Sequence, residues 1–392
     1  MKIVCKLNQC AGCMACVDIC PKGAITIEDN LAAYNAMIDE NKCIGCNACH
    51  NVCQNNHPAK RMSPIKWYQG WAEVSDVRKH CSSGGIATAI SQAFIEAGGV
   101  VCSCTFHNGE FIFEFAERIE DLKKFAGSKY VKSNPKGIYK SVKEYLKRGR
   151  EVLFIGLPCQ ASALKNFVGV QYEDGLFTAD LICHGTPSPK LLEMFLNQYG
   201  HTLTKLRDIQ FRVKAKFMVY GDYKGVITNG VSDKYSIAFL NSLTYTENCY
   251  SCQYACKERV SDLTLGDSWG SELPIDEQKK GVSLLLYQTK KGKRLLQIAD
   301  IHLENVDIEK AITNNHQLAH PSMMPKGRNE FYKRLKNHKF NSLVFWHFPK
   351  QCLRQDVKQL LIKMRIIRGG YRGKLVYSIL LLQQNDKPGG RA

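Results

Sequence analysis

From about residue 65 onward, short apolar runs alternate with amphipathic segments along the chain. The runs "EVLFI" (151–155) and "LFTADLIC" (176–183) predict buried strands. The helical patterns "ASALKNF" and "SPKLLEMFLNQYG" follow them, and Ser188 with Pro189 is expected to start the second helix. Strand–loop–helix units of this kind place loops at the carboxyl ends of strands, where α/β proteins bind ligands.

The segment from residue 81 to 115 predicts one more helix and a hairpin. In "CSSGGIATAISQAFIEAGG" apolar residues recur at helical spacing, with Ser82 or Ser83 as the expected N-cap. The glycine pair 98–99 is expected to end this helix. The next run, "VVCSCTFHNGEFIFEF", predicts a hairpin that turns at Asn108 and Gly109.

The first 56 residues are organised by cysteine instead. The pattern C-x2-C-x2-C-x3-C occurs twice, in "CAGCMACVDICP" and "CIGCNACHNVCQ", and this spacing is a known signature of bacterial ferredoxins. In two-cluster ferredoxins the fourth ligand of each cluster comes from the other run. The first cluster is predicted on Cys10, Cys13, Cys16 and Cys53, and the second on Cys43, Cys46, Cys49 and Cys20. Structural zinc is the alternative, but zinc sites usually join two separated cysteine pairs.

The number of cysteines also bears on the compartment. The chain has 18 cysteines among 392 residues, and neither a signal peptide nor a run of eighteen apolar residues is visible in it. Without export, so many cysteines indicate metal ligands rather than disulfides, and a cytoplasmic location is expected.

Four further segments are candidate binding loops: "RKHCSSGG" (78–85), "GSKYVKS" (127–133), "GLPCQ" (156–160) and "DLICHGTPSP" (180–189). The first presents hydroxyls and amides at a helix start, where phosphate binds well. Three more cysteines lie in "NCYSCQYACKERVSDLTLGDSWG" (248–270). Neither G-x-G-x-x-G nor G-x-x-x-x-G-K-[ST] occurs, so a dinucleotide cofactor is not expected to be held in the Rossmann manner.

Residues 65 to about 325 resemble the beta-subunit family of deazaflavin (coenzyme F-420) reducing hydrogenases and dehydrogenases. The motifs "SSGG", "GSKYVKS", "GLPCQASAL", "LICHG" and "CYSC" followed by "RVSDLTLGDSWG" carry the resemblance. It implies a non-Rossmann FAD site beside a third four-iron cluster, with hydride exchanged between the flavin and a soluble carrier.

The resemblance also implies site residues. It assigns FAD contacts to Ser82, Ser83, Gly84, Gly85, Ser128, Lys129, Tyr130, Gly156 and Pro158. It assigns the third cluster to Cys159, Cys183, Cys249 and Cys252, and Cys256 is a fifth candidate for these four positions.

Lys129 and His184 are the candidate catalytic residues. Lys129 would stabilise an anionic reduced flavin ring, or is simply an exposed lysine. His184 would act as a base in an alternative enzyme with Cys159 as nucleophile. That alternative leaves Cys183, Cys249 and Cys252 without a role.

Charge concentrates at the C-terminal end. The chain has 54 Lys and Arg against 36 Asp and Glu, a formal net charge of +18. Twelve ligand thiolates and three oxidised clusters would reduce this to roughly +12. A basic helical tail is predicted over 331–392, with Lys333, Arg334, Lys336, Lys358, Lys363, Arg365, Arg368, Arg372 and Lys374. Such a tail caps the fold with a solvated face, or contacts an anionic membrane surface or an acidic partner.

The predicted fold is of the α+β or α/β class: a ferredoxin-like domain (1–56), a mixed-sheet flavin domain in two parts (65–150 and 151–325), and the tail. The predicted function is an iron–sulfur flavoprotein oxidoreductase that passes electrons between ferredoxin-type clusters and FAD, and hydride to a soluble carrier or small substrate. The alternative is a non-catalytic electron-transfer subunit that serves a separate catalytic partner. A redox partner protein or soluble electron carrier is expected, and nucleic acid is not.

Overall fold

The computed structural model describes residues 2–221, 224–228 and 230–366. Its strands are β1 (Lys2–Ile3), β2 (Ile25–Asp29), β3 (Tyr34–Ile38), β4 (Lys66–Ala72), β5 (Val100–His107), β6 (Glu110–Ala116), β7 (Val152–Gly156), β8 (Leu176–Leu181), β9 (Gln210–Val213), β10 (Lys216–Gly221), β11 (Lys224–Gly225), β12 (Leu263–Asp267), β13 (Ser283–Tyr287) and β14 (Ile301–Glu304). Its helices are α1 (Ala15–Ile19), α2 (Ala48–Val52), α3 (Ser75–His80), α4 (Ile86–Glu96), α5 (Ile138–Lys147), α6 (Pro158–Val168), α7 (Pro189–Asn197), α8 (Lys234–Leu240), α9 (Ile275–Lys280), α10 (Lys290–Ile298), α11 (Ile308–Asn314), α12 (Arg328–Arg334), α13 (Phe340–His347) and α14 (Pro349–Lys363).

The N-terminal module is a small antiparallel sheet, in the order β1–β3–β2, with the short helices α1 and α2. The two cysteine runs have the same local backbone. Each contains a left-handed glycine, Gly12 (φ 68°) or Gly45 (φ 72°), and each helix begins after a left-handed residue, Met14 (φ 62°) or Asn47 (φ 57°). The sequence repeat is therefore also a structural repeat.

An eight-stranded mixed sheet forms the centre of the rest of the chain, in the order β14–β4–β13–β12–β8–β7–β5–β6. Strands β12, β8, β7 and β5 are parallel neighbours. Strand β13 lies antiparallel to both β12 and β4, so β4 runs in the same direction as these four. The carboxyl ends of five strands therefore meet at one edge of the sheet, which is the usual location of ligands in α/β proteins. The α/β architecture beside a ferredoxin-type module is confirmed.

The predicted hairpin is confirmed, and the predicted helix cap is wrong. His107 pairs with Glu110, so Asn108 and Gly109 form the two-residue turn, both at positive φ. Helix α4, however, begins after Gly85 (φ 86°) without a side-chain cap. The side chains of Ser82 and Ser83 make contacts with other segments instead.

The close approach of Gly84 to the sheet holds this loop in place. A Cβ atom at Gly84 would lie 2.5 Å from the carbonyl oxygen of Gly70 in β4 and 2.9 Å from the amide of Ser283 in β13. The Gly84 amide donates to Ser283 Oγ at 3.1 Å. Only glycine fits this position, and the loop is thereby fixed at the carboxyl edge of the sheet.

The tail is helical where the structure describes it. Helices α12 and α13 bury Phe331, Phe340 and Leu343 in a cluster that also contains Phe195 of α7 and Tyr235 of α8. The predicted tail residues Arg368, Arg372 and Lys374 lie outside the described residues. None of the described helices has the length and apolar character that crossing a membrane would need.

Candidate metal and cofactor sites

The first cavity lies in the N-terminal module and is lined by Cys10, Cys13, Cys16 and Cys53. Three of these thiols come from the first run and the fourth from the end of the second, as the ferredoxin signature predicts. The Gly12 amide points to Cys10 Sγ at 3.4 Å. None of the four thiols is in a disulfide. The two cysteine runs thus place four free sulfur atoms around one cavity.

Burial disfavours the thiolate forms of Cys13 and Cys16. Desolvation raises the pKa of Cys13 to about 12. Cys5 also lines the cavity, and its hydrogen bond with Cys10 is the main cause that raises its pKa to about 11. Thiolates at this site therefore require a cationic centre, and iron supplies one.

The second cavity is lined by Cys20, Cys43, Cys46 and Cys49 and has a volume of about 100 Å³. Here three thiols come from the second run and one from the end of the first. The Ala24 amide donates to Cys20 Sγ at 3.3 Å. These are the four residues that the sequence predicts for the second cluster.

The third cavity lies at the carboxyl edge of the large sheet and has a volume of about 290 Å³. Cys159 lies in the first turn of α6 after β7, and Cys183 follows β8. Cys249 and Cys252 come from the 3-10 helix Glu247–Ser251 and its C-cap. Three separate segments thus bring the four predicted thiols to one cavity wall.

Cys256 does not line this cavity. Its Sγ donates to the carbonyl oxygen of Glu258 at 3.1 Å, and the guanidinium of Arg61 donates to the same sulfur at 3.3 Å. The geometry therefore separates Cys256 from the other four candidates of the third site.

No group of three or more His, Cys, Asp or Glu within residues 2–221, 224–228 and 230–366 is arranged to hold a single metal ion. This finding concerns single ions, because each thiolate of a four-iron cluster binds a different iron atom.

A buried ion pair supports the wall of the third cavity. Arg259 Nη2 and Nε donate to Asp180 Oδ1 at 2.7 and 3.1 Å, and both side chains are almost completely inaccessible. Arg259 Nη1 also donates to the carbonyl oxygen of Tyr254 at 2.8 Å. Because Asp180 lies near the end of β8, this pair fixes the cysteine loop 249–259 to the strand that leads to Cys183.

His184 borders the third cavity as a neutral imidazole. Its Nδ1 accepts a hydrogen bond from Gln317 Nε2 at 2.7 Å, and its carbonyl oxygen accepts one from Ser322 Oγ at 2.7 Å. His184 lines the cavity, and the surrounding protein desolvates its ring and lowers its pKa to about 4.

The nucleophile alternative finds little support in this geometry. Burial raises the pKa of Cys159 well above its ordinary value, with the nearby Cys252 acting in the same direction. A reactive cysteine requires the opposite shift, because the thiolate is the nucleophile.

Two of the three predicted flavin segments come together. The Ser128 amide donates to Ser82 Oγ at 3.0 Å, which joins the loop 127–133 to the loop before α4. The third segment, with Gly156 and Pro158, lies at the end of β7, where Pro158 lines the third cavity. The amides of the first turn of α4 have no partner within the helix, as a phosphate site requires.

Lys129 and Tyr130 are more enclosed than the sequence suggests. Lys129 Nζ donates to the carbonyl oxygens of Phe125 and Ala126, both at 2.9 Å, at the end of the 3-10 helix Ile119–Phe125. The Tyr130 ring stacks on Phe239, with ring centroids 4.4 Å apart. Their flavin roles stay predictions.

Sequence reasoning missed two basic residues near these segments. Lys214 Nζ donates to the carbonyl oxygens of Ser83, at 2.8 Å, and of Arg78. Arg212 forms a two-point ion pair with Asp267 at the end of β12. Neither residue stands in a motif, and only the fold brings the 210–216 hairpin to this edge.

Comparisons with known proteins identify the family of this chain. A model of a 4Fe-4S dicluster domain matches residues 9–57. The chain is therefore in the class of iron–sulfur electron-transfer proteins. Two models of coenzyme F420 hydrogenase/dehydrogenase, beta subunit, match residues 67–136 (N-term) and 149–311 (C terminus). Together they cover more than half of the chain, which belongs to this oxidoreductase family. The family indicated by the sequence motifs is confirmed.

Among solved structures, a chain of the F420-reducing NiFe hydrogenase complex from Methanosarcina barkeri is similar. The two share 18% identity with a TM-score of 0.45, over 65% of this chain and 91% of that one. No curated protein matches.

Proposed function

We propose that this chain is an iron–sulfur flavoprotein oxidoreductase with three 4Fe-4S clusters and one FAD. It exchanges hydride with a deazaflavin-type carrier or another small substrate. The observation that carries the proposal is the third cavity, where Cys159, Cys183, Cys249 and Cys252 meet beside His184 at the carboxyl edge of the sheet. The three cavities would hold the clusters, and the loops 82–85 and 128–130 would hold FAD.

When bound, FAD accepts or donates a hydride and the clusters carry its two electrons singly. The protein's own part is to bind and orient these groups. The helix α4 amides and Lys214 provide positive charge for the phosphates of FAD. His184 lines the third cavity beside these cysteines, where the side-chain amide of Gln317 holds its ring.

Reduction of the isolated chain by a hydride carrier tests this function. Anaerobic protein loaded with FAD is mixed with a reduced deazaflavin carrier. We expect the visible absorbance of the clusters to bleach as electrons arrive. Bleaching by a chemical reductant but by no hydride carrier would contradict the hydride activity while leaving the clusters intact.

A non-catalytic electron-transfer subunit is the second candidate, because the family is one of beta subunits. In that case the redox partner is a separate catalytic subunit. Capture of such a subunit from the source cells, together with no turnover by the isolated chain, would favour this candidate over the first.

FAD affinity is expected to depend on pH through Lys214. Burial lowers the pKa of Lys214 to about 8, and the neighbouring Arg78 and Arg212 act in the same direction against Cys81 and Asp267. Lys214 is therefore a cation below pH 8 and loses its charge as the pH rises above it. We expect FAD to bind more weakly at pH 9 than at pH 7, as measured by quenching of flavin fluorescence.

The variant Lys214→Met should bind FAD more weakly at pH 7 and lose this part of the pH dependence. Lys216→Met is the matched control on the same hairpin. An unchanged pH profile in the Lys214 variant would contradict the assignment of Lys214 to the phosphates.

We also propose that the chain is cytoplasmic and contacts an anionic membrane surface through α14. Its apolar residues Leu353, Val357 and Leu360 are each about half exposed and follow one another at helical spacing. Exposed basic residues flank them, including Arg354 and Lys363. This combination is typical of helices that lie in the lipid interface.

Co-sedimentation with vesicles measures this contact. We expect binding to phosphatidylserine-containing vesicles and not to pure phosphatidylcholine. Reversing Arg354 and Lys363 to glutamate should weaken binding by about 1 kcal/mol or more per residue. If the charge-reversed variant sediments with these vesicles as much as the unmodified protein does, α14 is not the membrane contact.

A further inference from the structure

Lys132 is a buried lysine in the wall between the first and third cavities. It is 5% exposed, and it lines the third cavity. Its Nζ donates to the carbonyl oxygen of Ala11 at 3.0 Å. Ala11 is part of the first cysteine loop and lines both cavities. The ammonium group therefore lies where the N-terminal module meets the α/β domain.

The charge of Lys132 has no carboxylate partner among the residues that the structure describes. Its contacts are the neutral Ala11 carbonyl and the ring of Tyr34, whose centroid is 5.1 Å from Nζ. The other buried cation at the third cavity, Arg259, is neutralised by Asp180. Lys132 thus contributes a net positive charge between two groups of cysteine sulfurs.

The field of Lys132 reaches ligands of the third site. Lys132 lines the third cavity together with Cys159 and Cys183. The side-chain stem also packs on the first loop, because a Cβ at Gly12 would lie 3.0 Å from Lys132 Cδ. One residue therefore touches the first site and acts electrostatically on the third.

We propose that Lys132 raises the reduction potentials of the first and third clusters, and so makes this wall the route for electrons between the module and the α/β domain. The inference rests on the proposed function, since it requires both clusters. Reduction adds one negative charge to a cluster, and a nearby buried cation favours the more negative form. The electron that leaves one cluster enters the other, and no bond is made or broken. Lys132 would act on the clusters through its charge and is not one of the proposed ligands.

Potentiometric titration of the holoprotein, followed by low-temperature EPR, tests the proposal. Lys132→Met keeps the length of the stem and removes the charge. At a fixed potential, we expect the ratio of reduced to oxidised protein to fall about tenfold for the first and third clusters. This change corresponds to a decrease of about 59 mV in each reduction potential, for a one-electron couple. The second cluster, on Cys20, Cys43, Cys46 and Cys49, is the internal control and should not shift.

Two further variants separate charge from packing. Lys132→Arg should keep the potentials of the unmodified protein. Lys6→Met removes an exposed lysine at the same cavity, where solvent screens the charge, and should shift them little. The Lys132→Met variant could fail to assemble the third cluster. In that case, a Lys132→Arg variant with the cluster and its normal potential supports the proposed role of the charge. Loss of the cluster in both variants overturns the proposal.

Unchanged potentials in a fully loaded Lys132→Met protein would also overturn the proposal. That result differs from a failure of the proposed function, in which the unmodified protein itself would lack three cluster signals.

Discussion

Replacing Cys183 by serine is expected to remove four of about twelve irons and to leave the two clusters of the N-terminal module intact. The reason is geometric, because Cys183 lines the third cavity and neither of the others. Iron and sulfide analysis of the anaerobically purified variant measures the loss, and EPR identifies the cluster that is missing.

The matched control is Cys256→Ser, which should keep about twelve irons. Cys256 stands four positions after Cys252 but contacts Glu258 and Arg61 instead of the cavity. If Cys256→Ser loses four irons and Cys183→Ser loses none, the cluster ligand is Cys256 and not Cys183.

The variant Arg259→Met is expected to lower the free energy of unfolding by about 3–5 kcal/mol. Without the guanidinium, the carboxylate of Asp180 stays buried, and Thr264 Oγ1 is the one remaining donor to Oδ1 among the described residues. Asp180 Oδ2 has no hydrogen-bond partner in the part of the chain that the structure describes, so no donor there compensates for the lost charge. Urea unfolding under anaerobic conditions, followed by tryptophan fluorescence, measures the change.

Arg294→Met is the control, because its ion pair with Glu151 is exposed and should contribute about 0–1 kcal/mol. The double variant Arg259→Met with Asp180→Leu should recover much of the loss, since replacing both partners of a buried pair is often close to neutral. A loss at Arg259 no larger than at Arg294 would show that the pair does not hold the third-cavity wall.

Features encoded by local spacing could be predicted from the sequence. The two cysteine runs, the hairpin at Asn108 and Gly109, and the strand–helix units with Cys159 and Cys183 all follow from patterns within some twenty residues. In each case the residues that determine the structure are close neighbours along the chain. Their physical causes, such as turn geometry and helical periodicity, therefore appear directly in the sequence.

The contacts that Lys214 and Lys132 make with distant segments could not be predicted. Lys214 reaches Ser83 across 131 positions, and Lys132 reaches Ala11 across 121. The predicted cap at Ser82 or Ser83 was wrong for the same reason, because contacts to Ser128 and Val282 take those hydroxyls away from the helix. Long-range packing overrides a local propensity of about 1 kcal/mol.

We propose that one chain holds three 4Fe-4S clusters and one FAD. Anaerobic purification, with iron, sulfide, zinc and flavin counted per chain, tests it most directly. We predict about twelve irons, about twelve sulfides and one FAD per chain. Zinc in place of iron, or a chain that binds no flavin, would contradict it.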